Sequence, residues 1–325
     1  MAKTKFCEGL SDISDSYMAI IFDEWGVLHN GKKAYDGVVD CLKELRNRKK
    51  TIILLSNHAC TAAENKERLK KIGIGPSLYD KIITTGDYIA THIADKDKAP
   101  FDKMGKKCFM FHSGEPFEFM KDCDVTYVEK ADDADFALVT GWDKFKGPAA
   151  DYEDTLKTIV RKGIQTIFAV PDSQALFHPS FITGPGVVVR KLKNYGGVIT
   201  SVGKPYKPIF HEVIEYLQGK DIYPGQAVMV GDTMAHDMIG ADVSEIDSCF
   251  VRSGIHAGAF RNASGPADID QALNVLIAQY NIRPTYLIEQ VRWGKALPDR
   301  KHRRRLQPGE RVKRRLRRRP IKDKK

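Results

Sequence analysis

Short apolar runs alternate with segments in which apolar residues recur every three or four positions along most of this chain. The runs are Ala19–Phe22, Thr51–Leu55, Cys108–Phe111, Phe136–Val139, Gln165–Val170, Ala227–Val230 and Cys249–Val251. Their length is typical of strands buried on both faces of a sheet. Between these runs, apolar residues at three- and four-residue spacing predict amphipathic helices. Examples are Val38, Cys41, Leu42 and Leu45, and Ile209, Val213, Ile214 and Leu217; the last predicted helix is Gln271–Tyr280. Strands that take turns with helices predict an α/β fold with a mostly parallel sheet.

Size and composition are typical of a soluble intracellular protein with more than one domain. The chain has 325 residues, 42% of them hydrophobic, and no apolar run approaches the roughly 20 residues of a membrane span. The N-terminus lacks an apolar secretory stretch, and Glu8 and Asp12 argue against a transit peptide. The six cysteines show no zinc-site spacing, which favours reduced thiols in the cytoplasm or a mitochondrial matrix.

The charge is concentrated at the C-terminal end. Residues 291–325 contain 17 Lys and Arg against three acidic residues, a net +14, so the other 290 residues carry −4 of the overall +10. Three basic blocks stand out, formed by Arg303, Arg304 and Arg305, by Lys313, Arg314 and Arg315, and by Arg317, Arg318 and Arg319. Few apolar residues accompany them, so we expect this tail to be disordered in isolation and to bind a polyanion.

Four polar segments directly follow predicted strands. They are Asp23-Glu24-Trp25-Gly26-Val27, Leu54-Leu55-Ser56-Asn57, Gly203-Lys204-Pro205 and the run from Val230 to Asp237 that includes Asp232. In parallel sheets ligands bind at the carboxyl ends of the strands, where these segments are expected to lie. A carboxylate nucleophile, further acidic groups for a magnesium ion, and a lysine with hydroxyl and amide groups for phosphate oxygens are the parts that phosphoryl transfer needs.

At these four segments, which occur in the family's order, the chain resembles the haloacid dehalogenase superfamily of phosphatases. It is most similar to the subclass that includes nitrophenylphosphatase-like and nucleotide-phosphatase-like enzymes. Supporting segments are Gly31–Gly37, Val170-Pro171-Asp172 and Gly184–Val189, and the resemblance spans residues 17–282. It implies a Rossmann-like core formed by residues 1–88 and 198–290, an inserted α/β cap formed by residues 89–197, and the basic tail of residues 291–325.

The resemblance also implies roles for individual residues. Asp23 matches the nucleophile that forms an aspartyl-phosphate. Asp23, Asp232, Asp237 and the backbone carbonyl of Trp25 match the Mg²⁺ ligands, and Ser56, Asn57 and Lys204 match the phosphate-binding set.

Trp25 departs from the family's pattern, which has a second aspartate at this position. That aspartate protonates the leaving oxygen and then activates water, and loss of such a group typically costs about 10²–10⁴-fold in rate. Glu24 is a poor replacement because neighbouring side chains of an extended segment point in opposite directions. His29 or a substrate group are alternative proton carriers. A related branch of the family resembles this chain in having tryptophan here, where an indole would narrow the pocket or stack on a ring.

Two functional hypotheses follow. In the first, which the sequence favours, a phosphatase-like protein with weak or lost hydrolysis is anchored through its tail to RNA, such as rRNA in a ribosome or another ribonucleoprotein. In the second, the chain is an active Mg²⁺-dependent phosphatase of a small phosphorylated metabolite with an accessory tail. An anionic membrane surface is a less favoured partner because the tail offers no aromatic or amphipathic face for insertion.

Overall fold

The computed structural model describes residues 3–112, 118–140, 152–169, 174–177 and 180–294. Residues 1–294 form one compact unit. The predicted RNA-binding residues between Arg303 and Arg319 and the supporting segment Val170–Asp172 lie outside the described residues.

Seven parallel strands form the larger sheet of the described chain. They are β1 (Lys5–Phe6), β2 (Ala19–Phe22), β3 (Thr51–Ser56), β4 (Lys81–Thr84), β12 (Ala227–Gly231), β13 (Asp247–Val251) and β14 (Tyr286–Ile288). Their order across the sheet is β1-β14-β13-β12-β2-β3-β4. The central strands β2 and β12 pair in register, with Ala19 opposite Ala227 and Phe22 opposite Val230.

Five parallel strands of the described chain form a second sheet. They are β5 (Lys107–Phe111), β6 (Thr126–Tyr127), β7 (Phe136–Val139), β8 (Gln165–Phe168) and β11 (Ile199–Ser201). Their order across the sheet is β11-β8-β7-β5-β6. Between β8 and β11 the chain forms an antiparallel pair, β9 (Gln174–Phe177) and β10 (Ser180–Thr183).

Helices cover both faces of these sheets. They are α1 (Val38–Asn47), α2 (Ala62–Lys71), α3 (Thr85–Asp95), α4 (Glu153–Lys162), α5 (Gly186–Asn194), α6 (Lys207–Gln218), α7 (Ile239–Asp242) and α8 (Pro266–Tyr280). Successive residues of β2 alternate between two apolar clusters, because side chains of a strand point to opposite faces. Ile20 and Phe22 pack with α1, whereas Ile21 packs with α6. The cluster on the α6 face continues into the second sheet, where it includes Leu138.

The two ends of the compact unit are joined to each other. Strand β1 pairs with β14, so that Lys5 lies opposite Tyr286, and the Thr4 hydroxyl donates to the Pro284 carbonyl at 2.8 Å. The backbone N–H of Leu10 donates to the carbonyl of Arg292 at 2.9 Å. The first and last strands of the sheet are therefore neighbours at one edge.

The α/β fold that the sequence predicts is confirmed, with a Rossmann-like parallel sheet and a second α/β sheet inserted between β4 and β12. The domain boundaries at residues 88, 197 and 290 stay predictions. Among the described helices, none combines the length and the apolar character that crossing a bilayer requires.

Candidate active site

The carboxyl ends of β2, β3 and β12 bring the predicted catalytic segments to one edge of the larger sheet. Asp23 follows β2, Ser56 ends β3, and Asp232 follows β12. The backbone N–H of Asp23 donates to the carbonyl of Val230 at 2.9 Å, so the pairing of β2 with β12 extends into the site. Adjacent parallel strands end side by side, which is why residues far apart in sequence meet here.

Lys204 is the centre of this site. Its ammonium Nζ lies 2.5 Å from Oδ1 of Asp23 and 2.8 Å from Oδ1 of Asp237. The residue is 2% exposed, and burial alone would lower its pKa. The charges of Asp23 and Asp237, and the hydrogen bonds to them, raise the pKa instead. The lysine is therefore a fixed cation between the predicted nucleophile and a predicted metal ligand.

Three carboxylates surround a position suited to a divalent cation. Each of Asp23, Asp232 and Asp237 offers an oxygen, and these atoms lie within 4.8 Å of one another. If all three are ionised, they and the Lys204 ammonium leave a net charge of −2. Hard oxygen ligands and this uncompensated charge fit Mg²⁺. The role of the Trp25 carbonyl as a further ligand stays a prediction.

Backbone and hydroxyl donors orient two of these carboxylates. The N–H of Thr233 donates to Oδ2 of Asp237 at 3.0 Å, and the Thr233 hydroxyl donates to Oδ1 of Asp232 at 3.1 Å. The N–H of Ile255 donates to Oδ2 of Asp232 at 2.7 Å. Both carboxylates are thus held in place by groups outside the cation position.

The acidic groups of the site repel one another. The pKa of Asp23 is raised to about 7. Burial raises it most, the charge of Lys204 lowers it, and the charge of Asp237 raises it further. Burial, followed by the charges of Asp23 and Asp237, raises the pKa of Asp232 well above its usual range. A bound cation would favour the ionised forms of both residues.

Two glycines let Asp232 occupy this position. A β-carbon on Gly254 would lie 1.9 Å from Oδ2 of Asp232, and one on Gly26 would lie 2.2 Å from the same atom. Neither distance is possible between two atoms that are not bonded to each other. The sequence pattern did not identify Gly254, because its role depends on the tertiary approach of the loop after β13 to the loop after β12.

Ser56 ends β3 and Asn57 follows it, and both are mostly buried. The hydroxyl of Ser56 accepts a hydrogen bond from the N–H of His58 at 3.3 Å. The side-chain amide of Asn57 contacts the backbone of Lys204 at both of its ends. Contact of either residue with a phosphate stays a prediction.

Trp25 packs within its own loop. Its indole meets the His29 ring edge-on, with 5.5 Å between the ring centroids, and it lies against Gly31. Trp25 and His29 also form a β-bridge. The indole therefore fills space in the loop that follows the nucleophile, and it supplies no proton-transferring group.

Glu24 is turned towards α2. Its carboxylate, 1% exposed, accepts from Nδ2 of Asn65 at 2.6 Å and from Nη2 of Arg68 at 2.9 Å. Burial opposes ionisation of Glu24, but His29, the charge of Arg68 and the Asn65 amide together lower its pKa.

His29 is fully buried, and its Nδ1 accepts from the N–H of Gly31 at 3.0 Å. Its Nε2 lies 3.8 Å from Oε2 of Glu24. Both of the replacement proton carriers considered from sequence, Glu24 and His29, thus take part in a buried network that fixes the loop.

Two family models match the chain. One, described as haloacid dehalogenase-like hydrolase, matches residues 20–126, and the other, described as HAD-hydrolase-like, matches residues 201–293. Together they cover more than half of the sequence and include Asp23, Ser56, Lys204 and Asp232. No curated protein matches the chain significantly.

Solved structures share the fold over most of the chain. A haloacid dehalogenase-like hydrolase from Brucella suis is 23% identical with a TM-score of 0.73, covering 87% of this chain and 99% of its own. The p-nitrophenyl phosphatase of Archaeoglobus fulgidus is 21% identical with a TM-score of 0.63, covering 84% and 96%. The glycerol phosphate phosphatase of Mycobacterium tuberculosis, in complex with magnesium, is 20% identical with a TM-score of 0.59, covering 85% and 76%. By its motifs, its site geometry and its fold, the chain belongs to the haloacid dehalogenase superfamily, with the architecture of its p-nitrophenyl phosphatase-like subclass.

Proposed function

We propose that the protein transfers the phosphoryl group of a small phosphorylated metabolite to Asp23 in a magnesium-dependent reaction and then hydrolyses the aspartyl-phosphate slowly. The observation that carries this proposal is the position of the Lys204 ammonium between Asp23 and Asp237, beside the three-carboxylate cluster. A site for a purely structural role has no need of a buried net negative charge next to a nucleophile at the edge of the sheet.

The residues of the site supply most of the steps. An oxygen of Asp23 attacks phosphorus, a new P–O bond forms, and the bond to the leaving oxygen breaks. Lys204 offsets negative charge on the transferring oxygens. Mg²⁺, held by Asp23, Asp232 and Asp237, would supply further charge neutralisation and orient the phosphate.

Proton transfer is the weak part of this site. The leaving oxygen takes its proton from solvent or from the substrate, because Trp25 has none to give. The water that attacks the aspartyl-phosphate likewise lacks a carboxylate base at this position. We therefore expect turnover about 10²–10⁴-fold below that of an enzyme with aspartate here, and an aspartyl-phosphate that persists.

The relatives support the phosphatase assignment over a scaffold without chemistry. Two of the solved structures described above are named as phosphatases, and one of them binds magnesium. The carboxylate cluster of this chain fits the same ion. Of the weak or lost hydrolysis that the sequence suggested, the proposal therefore takes weak hydrolysis.

The test compares the full-length wild type with Asp23→Asn, Trp25→Asp and Trp25→Phe. Phosphate release from p-nitrophenyl phosphate and from a panel of phosphorylated metabolites is measured with magnesium and with a chelator, and acyl-phosphate is trapped with hydroxylamine. We expect slow, magnesium-dependent release and trapped phosphate in the wild type, neither in Asp23→Asn, and faster release in Trp25→Asp but not in Trp25→Phe.

Two results would overturn the proposal. Release that persists in Asp23→Asn or in chelator would show that another group or a contaminant does the chemistry. Absence of both release and acyl-phosphate in the wild type and in Trp25→Asp would favour a non-catalytic role.

A second proposal concerns the tail, and its support is the arginine and lysine blocks between Arg303 and Arg319. We propose that they bind RNA, since the guanidinium group contacts phosphate bidentately and stacks on bases. With about 6–10 phosphate contacts, affinity should fall about 10³–10⁵-fold between 50 and 200 mM salt. RNA binding can be measured by filter retention. Binding that does not change with salt, or that survives deletion of residues 298–325, would exclude RNA binding by the tail.

A further inference from the structure

Both polar atoms of the Asn57 side-chain amide form hydrogen bonds with the backbone of one residue. Its Oδ1 accepts from the N–H of Lys204 at 2.7 Å, and its Nδ2 donates to the carbonyl of Lys204 at 3.3 Å. The two residues are 147 positions apart, and both are more than nine-tenths buried. A two-point contact of this kind fixes both the position and the rotation of the Lys204 backbone, from which the ammonium extends to Asp23.

Asn57 is itself held by an independent element. The hydroxyl of Thr85, the first residue of α3, donates to the carbonyls of Asn57 and His58 at 2.9 and 3.0 Å. A β-carbon on Gly86 would lie 2.5 Å from the Cys60 carbonyl, so this loop and the start of α3 are in close contact. The loop that carries Asn57 is thus a fixed support.

The segment that contains Lys204 needs such a support. It follows β11, the last strand of the second sheet, and the N–H of Val202 donates to the carbonyl of Phe168 in β8 at 3.1 Å. Lys204 therefore lies two residues beyond a bond to the second sheet, while its side chain belongs to the larger one. The Asn57 amide joins this segment to the larger sheet at Lys204.

We propose that Asn57 is a positioning residue that places the Lys204 ammonium between Asp23 and Asp237, and that it does not bind the phosphate with its side chain. The inference rests on the proposed function as far as phosphate binding is concerned. It changes the role that sequence resemblance assigned to Asn57, because both polar atoms of its amide face the Lys204 backbone.

A double-mutant cycle tests the proposal. Binding of inorganic phosphate to the full chain in saturating magnesium is measured by calorimetry for the wild type, Asn57→Ala, Lys204→Met and the double variant. We expect Asn57→Ala to weaken binding about 10- to 100-fold, because a buried backbone pair is left unpaired and the lysine shifts. In the Lys204→Met background the same substitution should change binding less than about twofold, since residues that act through one group are not additive.

Ser56→Ala serves as the matched control. Ser56 precedes Asn57 in the chain, but its hydroxyl bonds the His58 N–H and not Lys204. Its effect on phosphate binding should therefore be similar in the wild-type and the Lys204→Met backgrounds. An Asn57→Ala effect of equal size in both backgrounds, or no effect in the wild-type background, would overturn the proposal.

A second measurement does not depend on phosphate. Buried, hydrogen-bonded lysine ammonium groups can be observed by NMR in protein labelled with ¹⁵N-lysine, and the Lys204 resonance is assigned by its loss in Lys204→Met. It should shift or broaden in Asn57→Ala and remain in Ser56→Ala. An unchanged resonance in folded Asn57→Ala would refute positioning. If the wild type binds no phosphate, the proposed function fails, while this spectrum still decides the role of Asn57.

Discussion

The indole of Trp25 lies directly against Gly31, so that a β-carbon on Gly31 would be 2.3 Å from the ring atom Cη2. The tryptophan that replaces the family's second aspartate is thus accommodated by a glycine six residues further along the same loop. The replacement is part of the packing of this loop and not an isolated loss.

Gly31→Ala should be more destabilising than the backbone conformation alone explains. Gly31 has a φ of +83°, and Gly73, with a φ of +98° and no atom within 4 Å of an added β-carbon, is a matched control. We expect Gly73→Ala to cost about 1 kcal/mol from left-handed strain. Gly31→Ala should cost about 1–3 kcal/mol more because the indole must move. Urea unfolding measures both, and equal costs would contradict close packing of Trp25 on Gly31.

Gly254→Ala should weaken magnesium binding. The added carbon would collide with Asp232, which must leave its position among the three carboxylates. We expect at least a tenfold loss of affinity, about 1.4 kcal/mol, by calorimetry. Gly258→Ala is the control, since a β-carbon there meets nothing within 4 Å. Unchanged affinity in Gly254→Ala would argue against Asp232 as a ligand.

Glu24→Ala should strongly destabilise the fold. Removal of this buried carboxylate leaves the Asn65 amide N–H without its acceptor and leaves Arg68 with Oδ1 of Asn65 but no anionic partner. Breaking a buried pair costs about 3–5 kcal/mol. The effects of Glu24→Ala and Arg68→Met on the free energy of unfolding should be coupled by about 1–3 kcal/mol. Exposed Glu67 on the same helix as Arg68 is the control, and Glu67→Ala should cost at most about 0.5 kcal/mol. Additive effects of the Glu24 and Arg68 changes would show that the ion pair contributes nothing.

His58 should make the fold sensitive to acid. Burial, aided by the charge of Arg68, lowers its pKa from 6.5 to about 4. Between about pH 4 and pH 6.5, His58 therefore binds a proton more readily in the unfolded chain than in the folded chain. The stability that the neutral ring contributes is fully present above pH 6.5 and is lost as the pH falls towards 4.

Comparison with His58→Gln isolates this effect from other titrating groups. Between about pH 7.5 and pH 5, the free energy of unfolding of the wild type should fall about 1–2 kcal/mol more than that of the variant. Chemical denaturation at the two pH values gives both quantities. Parallel pH profiles of the two proteins would show that His58 does not titrate differently on folding.

The strands and the position of the site could be predicted because local pattern determines them. The run Ala19–Phe22 is apolar throughout since β2 is buried on both faces, and Asp23 follows it at the edge where ligands bind in such sheets. Seven of the fourteen described strands were not predicted, among them β1 and β14. These two have only two and three residues, and both residues of β1 are exposed, so no periodic signal exists.

Contacts between distant segments account for what the sequence could not supply. The partner of Glu24, Arg68, lies 44 residues away and has no local signature. The family resemblance assigned Asn57 to the phosphate-binding set, which stays a prediction, but it gave no sign of the bonds between the Asn57 amide and the Lys204 backbone. The identity of a polar residue at a strand end predicts that it can form hydrogen bonds, not which group receives them.

The pairing of β1 with β14 has a consequence for biosynthesis. Lys5 is translated 281 residues before its partner Tyr286, which lies near the end of the compact unit. Until then the edge of β13 has no neighbour, and an open strand edge invites pairing with other chains. We therefore expect truncated products that stop before residue 284 to aggregate, because they lack β14 and leave the edge of β13 open.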